Sequence, residues 1–386
     1  MTPKQRLITA LDKGIPDRLP ATTHHVFDPW LKQYMGGITR DAFFEALGLD
    51  AIRWVIPVLP DTSRGEFFAD NEGQTDFLEI KRIVSDSWRI FEHRTPNENG
   101  EIVNISIETP KGSLHAVLQE APLTTWVIEP LLKEKTDIEL FQAYQSWPIC
   151  DVEEVDHQYE EFGQKGIIRG FIIPSELYGQ PGCWQDFCCL RGTVKAILDT
   201  FDDPQWVHQC LSVLLERKLH YVQSLAGAKY DLIELGGGDA STTVISPDIF
   251  RQFVAPYDSQ LIEACHAQNQ RVVYHTCGGM MPILEDIAAM NPDAMETFTP
   301  PDIGGDVDLA SAKKRIGDKV CMIGGFDQVH YLSGVEDSVT RKEVQRCFNE
   351  AGEGGGYILC PSDHFFDAEP ELLAAFANEA SKCTYS

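Results

Sequence analysis

From residue 166 onward, short apolar and β-branched runs alternate with longer stretches in which apolar positions recur every three to four residues. The runs at 166–173, 230–235, 271–275, 294–298, 320–323 and 357–359 predict strands. The stretches at 184–200, 204–226, 247–268, 281–290, 308–315, 338–350 and 370–381 predict helices, and Ser246 before Pro247 supplies an N-cap and a first-turn proline to one of them. Alternation this regular predicts a parallel sheet covered by helices, and its length predicts a closed (β/α)8 TIM barrel. The first 150 residues are less periodic. An early strand is expected at 51–57, and 86–119 reads as antiparallel hairpin material with turns at Asn97-Glu98-Asn99-Gly100 and Pro110-Lys111-Gly112. The expected architecture is one domain over 1–386: the barrel, an N-terminal extension, and a β-hairpin insertion at approximately 60–125 that decorates the barrel mouth. Solenoid repeats, coiled coils and low-complexity tracts are absent from the pattern.

Charge narrows the partners. With 32 basic against 59 acidic residues and a net charge of −27, the chain lacks the cationic surface that nucleic acids or anionic membranes require. No run approaches the 18 apolar residues of a membrane span. The opening residues form a short amphipathic pattern without the apolar core of a secretory signal, so a cytoplasmic location is expected. Eleven scattered cysteines then read as reduced thiols. Cys188, Cys189, Cys210, Cys265 and Cys347 are expected to be small buried hydrophobes.

In a (β/α)8 barrel, functional groups collect at the C-terminal ends of the strands. Ligand-capable residues recur at those places. Asp239 follows three glycines after 230–235, and His275-Thr276-Cys277 closes 271–275. Glu296 lies on 294–298, Gly324-Gly325-Phe326-Asp327 follows 320–323, and Cys360-Pro361-Ser362-Asp363-His364 follows 357–359. His275 and Cys277, two apart on extended backbone, reach one ion, and Cys360 arrives from the strand near barrel closure. Glu296, on the strand after His275, is the candidate fourth and exchangeable ligand. One imidazole and two thiolates make an uncharged, electron-rich zinc site. Such a site suits either a bound substrate thiolate or the polarisation of a leaving heteroatom, and both lead to group transfer. A purely structural zinc is the alternative. Glu176 and Tyr178, at the same rim, and His364 are candidate proton donors or hydrogen-bonding groups. Asp239, after three glycines that permit close backbone approach, is a candidate for contact with substrate.

The ordered set Ala10-Leu11-Asp12-Lys13-Gly14-Ile15-Pro16-Asp17-Arg18, Ser146-Trp147-Pro148, Ser246-Pro247 through Pro256-Tyr257, His275-Thr276-Cys277-Gly278, Gly324-Gly325-Phe326-Asp327 and Tyr357 to Cys360 resembles the uroporphyrinogen decarboxylase superfamily. Within it the H-x-C…C set is similar to the zinc-dependent corrinoid methyltransferases, of the methylcobalamin:coenzyme M type. The resemblance implies zinc on His275, Cys277 and Cys360, with Glu296 as a further ligand, and cobalamin as co-substrate near a rim that includes Asp239, Gly324 and Gly325. It implies a small methyl donor or thiol as substrate and a monomer or homodimer. The chain lacks a D-x-H-x-x-G corrinoid motif, so the corrinoid is expected to arrive with a partner protein. The chain also departs from the decarboxylases. Where they carry arginines that grip a tetrapyrrole's carboxylates, this chain has Thr22-Thr23-His24-His25-Val26-Phe27-Asp28-Pro29-Trp30. His24, His25, Asp28 and Trp30 are therefore expected to shape a methyl-substrate pocket, with a decarboxylase-like lyase as the alternative.

Overall fold

A computed structural model of the chain describes residues 1–69, 81–174 and 179–385. A capped helix, α1 (Pro3–Leu11), opens the chain, with Thr2 and Gln5 forming a reciprocal capping box. The first barrel strand is β1 (Ala51–Trp54). There follows an antiparallel meander of β2 (Arg89–Asn97), β3 (Gly100–Thr109), β4 (Gly112–Ala121) and β5 (Thr124–Glu129). The barrel then resumes with β6 (Gly166–Phe171), β7 (Leu232–Gly236), β8 (Val272–His275), β9 (Ala294–Thr297), β10 (Cys321–Gly324) and β11 (Tyr357–Ile358).

Strands β1 and β6 to β11 pair in parallel in that order. The gap between β11 and β1 is bridged by residues 20–22. Leu359 N donates to Pro20 O at 2.9 Å and Thr22 N to Leu359 O at 3.0 Å, while Asp50 N donates to Ala21 O at 2.8 Å. This short segment is the eighth stave, and the (β/α)8 barrel is closed.

Two layers fill the barrel. The lower one is apolar: Ile52, Ile167, Leu232, Val273, Ala294, Cys321 and Ile358 pack with Leu7, Ala10 and Leu11 of α1, which plugs the N-terminal end. Side chains two apart on a strand share a face. The next inward position is therefore Trp54, Arg169, Glu234, His275, Glu296, Ile323 and Cys360. The barrel changes from oil to charge within one pleat, toward its C-terminal mouth.

Two predicted helices are interrupted. The helix expected at 184–200 divides at Gly192, whose φ of 85° a side chain would strain, into Cys183–Arg191 and Thr193–Asp202. The one expected at 247–268 contains a π turn at Phe250–Val254 just before Pro256, which has no N–H for the regular ladder. Among the described residues, no helix is long and apolar enough to cross a membrane.

Candidate active site

The charged layer is a buried ion-pair network. Arg169 (1% exposed) binds Glu296 through Nη1 to Oε2 at 2.9 Å and through a second, shorter contact from Nη2 to Oε1. The same Nη2 donates to Glu234 Oε2 at 2.5 Å. His24 Nε2 stands 3.1 Å from Glu296 Oε1 and 3.3 Å from Glu234 Oε2, and His275 Nδ1 stands 2.8 Å from Glu296 Oε1. Trp54 covers the assembly. Its ring lies 4.5 Å from the Arg169 guanidinium carbon, and its Nε1 donates to the His24 carbonyl at 3.0 Å.

Burial alone would neutralise these groups, but their mutual fields reverse its effect. Burial pushes Glu296 up, yet Arg169 and then His24 hold it well below the usual carboxylate range. Glu234, also buried and facing Arg169, is held down to about 2. Burial disfavours the cation of His24, which Glu296 and Glu234 nonetheless raise. His275 is raised well above its ordinary value against the same burial cost, by the Cys277 thiol, Glu296 and Glu234. The mouth histidines go the other way. Burial, with the charge of His24 added, lowers His25 well below its ordinary value and His364 to about 4.

Above this floor opens a cavity of about 1060 Å³. Its walls include His25, Phe27, Trp54, Phe171 and Phe366, the glycine-rich turn with Asp239, and the tip of the β4–β5 hairpin at residues 120–125. Among the described residues lining it, Arg94 is the only Arg or Lys, and its guanidinium is engaged by Glu92, Glu101 and Glu120.

Of the expected metal ligands, His275 and Glu296 are in contact, Nδ1 to Oε1 at 2.8 Å, and Cys277 stands beside His275, where it helps raise the imidazole's pKa. Cys360 (3% exposed) points into the barrel beside the His24 backbone, and burial followed by the charge of Glu296 pushes its thiol up. An imidazole, two thiols and a carboxylate gathered at the C-terminal strand ends fit zinc in kind. The tightest group among the described residues is different: one donor atom each from His24, Glu234, His275 and Glu296, all within 4.8 Å of one another. The two thiols stand outside it.

The other expectations divide. His24 is at the cavity floor, and His25 and His364 are in its wall. Asp239 is in the wall too, accepting from Gln185 Nε2 at 3.0 Å and Thr193 Oγ1 at 2.9 Å, with burial raising its pKa. Asp28 is exposed and pairs with Arg40 at 3.2 Å beside a smaller cavity of about 420 Å³. Trp30 is a correction: it is core, 2% exposed, its Nε1 donating to Ala368 O at 3.0 Å and its ring against Phe43 and Phe365. Gly324 and Gly325 are not among the residues lining either cavity. A Cβ on Gly324 would collide with the Thr297 carbonyl and one on Gly325 with Leu309, so their glycines serve strand and helix packing. Glu176 and Tyr178 lie outside the described residues. Arg169 and Glu234 were missed, although each is a lone charge in the middle of an apolar strand.

Comparison with known proteins agrees with this architecture. The whole chain superposes on a methyltransferase from Methanosarcina mazei with a TM-score of 0.63, 17% identity and 99% of both chains covered, which establishes a shared fold. It is 27% identical over 188 residues to a uroporphyrinogen decarboxylase of Chlorobium phaeovibrioides, covering 47% of this chain and 51% of that one. It is 30% identical over 154 residues to the methylcobamide:CoM methyltransferase MtaA of Methanosarcina barkeri, covering 40% and 42%. The chain spans about half the length of the curated relatives it matches. Because the family model for uroporphyrinogen decarboxylase (URO-D) matches residues 182–382, more than half of a chain that also closes the expected barrel, this protein belongs to the URO-D family.

Proposed function

We propose that this member of the family is a zinc-dependent methyltransferase that moves a methyl group between a small methyl donor or thiol and a corrinoid brought by a partner protein. The observation that carries the reading is the pairing of a broad mouth, walled in part by Phe27, Trp54, Phe171 and Phe366, with His275 and Cys277 at its base and Glu296 and Cys360 buried in the strand layer beneath. The sequence match to a methylcobamide:CoM methyltransferase supports it. Zinc held by His275, Cys277 and Cys360, with Glu296 as a further ligand, would supply Lewis acidity and lower the pKa of a bound thiol. The chain's own residues do the rest. Trp54, Phe27 and Phe366 exclude water from the floor, the β4–β5 tip frames the entry, and Asp239 offers a carboxyl oxygen from a rigid turn.

The decarboxylase reading needs cations for a polycarboxylate tetrapyrrole. Arg94 is the only Arg or Lys among the described residues of the cavity wall, and three glutamates already engage it. The test is methylation of free cob(I)alamin by a panel of methyl donors and thiol methylation by methylcobalamin, followed at the corrinoid's visible bands, with uroporphyrinogen as a parallel substrate. Activity should vanish on chelation while the far-ultraviolet circular dichroism stays unchanged. The cobalt(II)-substituted enzyme should show thiolate-to-metal absorption that Cys277→Ser and Cys360→Ser remove. Full methyl transfer by the metal-free enzyme, or tetrapyrrole decarboxylation in its place, would end the proposal.

A further inference from the structure

We propose that the exposed apolar face of the helix Thr193–Asp202 is a self-association surface, on which a second copy of this chain packs its own Thr193–Asp202 helix antiparallel about a two-fold axis at Leu198. The zinc reading plays no part in it.

The helix joins the barrel on one side only. Ala196, Asp199 and Thr200 are buried, and Asp199 Oδ2 accepts from Arg191 Nε at 2.8 Å. On the opposite side Val194, Leu198 and Phe201 are 73%, 55% and 73% exposed. Spaced four and three residues apart, they form one stripe along two turns. Single exposed hydrophobics are ordinary, but a stripe that points straight away from the buried face marks a surface that another molecule covers. The apolar exposure continues beyond the helix's first turn. A Cβ on Gly192 would stand 3.8 Å from Pro130 Cγ, and Pro130 directly follows β5, whose Trp126 and Ile128 are 51% and 52% exposed.

The charges beside the stripe identify the occupant. Lys195 and Asp202 are both exposed, and neither forms an ion pair with another described residue. With 3.6 residues per turn they lie within about 20° of each other on the same flank of the stripe, yet about 10 Å apart along the axis, too far to meet within one chain. A two-fold that reverses the helix keeps that flank on the same side and exchanges its ends. Lys195 of each copy then meets Asp202 of the other, while Val194 faces Phe201 and Leu198 meets its own equivalent. A different protein would need this charge spacing by coincidence; a reversed copy has it by symmetry. With Trp126 and Ile128 included, about 100 Å² from each of five side chains gives on the order of 1,000 Å² across the pair, the lower edge of a specific interface. The net charge of −27 on each copy adds a repulsion that salt screens. The dimer is therefore weak and reversible.

Sedimentation velocity of the full chain at about 0.15 M salt, over roughly 1–300 µM protein, should show a monomer–dimer equilibrium with a Kd on the order of 10–100 µM. Leu198→Glu should abolish the dimer while leaving the circular dichroism and thermal midpoint unchanged. Lys195→Asp and Asp202→Lys should each weaken it about 5- to 10-fold, and the charge-swapped double variant should return to within about threefold of wild type. The proposal is overturned if the chain is monomeric throughout, if Leu198→Glu dimerises with an unchanged Kd, or if the double variant binds no more tightly than either single one. A chain that stays monomeric while Leu198→Glu blocks binding of a different protein would assign the face to that protein, and the proposal would fall.

Discussion

Replacing Arg169 by methionine keeps a long apolar stem and removes the charge that two buried carboxylates share. Glu234 and Glu296 are 6% and 2% exposed. Breaking a buried pair from one side costs about 3–5 kcal/mol, because the partner left behind stays buried and uncompensated. Loss of the guanidinium over the Trp54 ring adds about 1 kcal/mol. The sign of the pH dependence should also invert. In the wild-type, metal-free protein Glu234 is held down to about 2 and Glu296 lies well below the ordinary 4.5. Their contribution is present above pH 4.5 and lost as pH falls toward 2. In the variant, burial dominates and both carboxyls move above 4.5, even with His24 and His275 still facing them. The folded state then holds protons that the unfolded state releases, and stability falls as pH rises from about 4.5 through the new values. Urea unfolding with a chelator present, at pH 5 and pH 8, measures both effects. The loss relative to wild type should be larger at pH 8. A loss below about 1 kcal/mol at both pH values, or a larger loss at pH 5, would refute the assignment of Arg169 as the counter-charge.

Trp30→Ala should cost about 3–5 kcal/mol in urea unfolding while leaving metal content at the wild-type level, as core truncation does; altered metal content with little loss of stability would return Trp30 to the pocket. Gly324→Ala forces a side chain onto a φ of 127°, worth roughly 1–3 kcal/mol before the collision with Thr297 is counted, and should show as a lower thermal midpoint. Asp258, 1% exposed and accepting from Tyr274 Oη, is raised by burial to about 6. Its stabilising contribution is present below the ordinary carboxyl value of 3.8 and is lost as pH rises from there through about 6, so Asp258→Asn should flatten the stability profile between about pH 3.5 and 6.5 by up to about 3 kcal/mol. Replacing residues 121–124 by a two-residue Asn-Gly turn should leave the barrel's unfolding intact and raise the KM for free cobalamin, measured in the corrinoid assay.

The barrel from residue 166 onward is legible because parallel strands are buried on both faces and read as apolar runs, while the covering helices keep a polar face. The eighth stave is not. Pro20, Ala21 and Thr22 carry no strand signal, and their pairing with Leu359 spans almost the whole chain. The π turn before Pro256 was not read, although a proline inside a helical pattern, with no N–H to give, marks a place where the regular ladder must break. The insertion extends past its expected end because Thr124 to Glu129 pairs back on β4.

At the site, ligand-capable residues at or just beyond the strand ends pointed to His275, Cys277, Cys360 and Asp239, and of the charges within strands only Glu296 was taken up. Arg169 interrupts Gly-Ile-Ile-Arg-Gly-Phe and Glu234 interrupts Leu-Ile-Glu-Leu. A strand of a parallel barrel offers a side chain two destinations, the helical layer or the axis, and Ile167 and Leu232 set the axis parity. A charge two residues further must face the axis, where there is no bulk water to solvate it, so it needs a partner. Opposite charges at that parity on neighbouring strands therefore imply an ion pair across the barrel, and Glu296, on parity with Ala294, completes it. That inference needs the strand assignment, the alternation of side chains and the axis parity that the packing of Ile167 and Leu232 sets. It leads from the sequence to the centre of the site without any ligand motif.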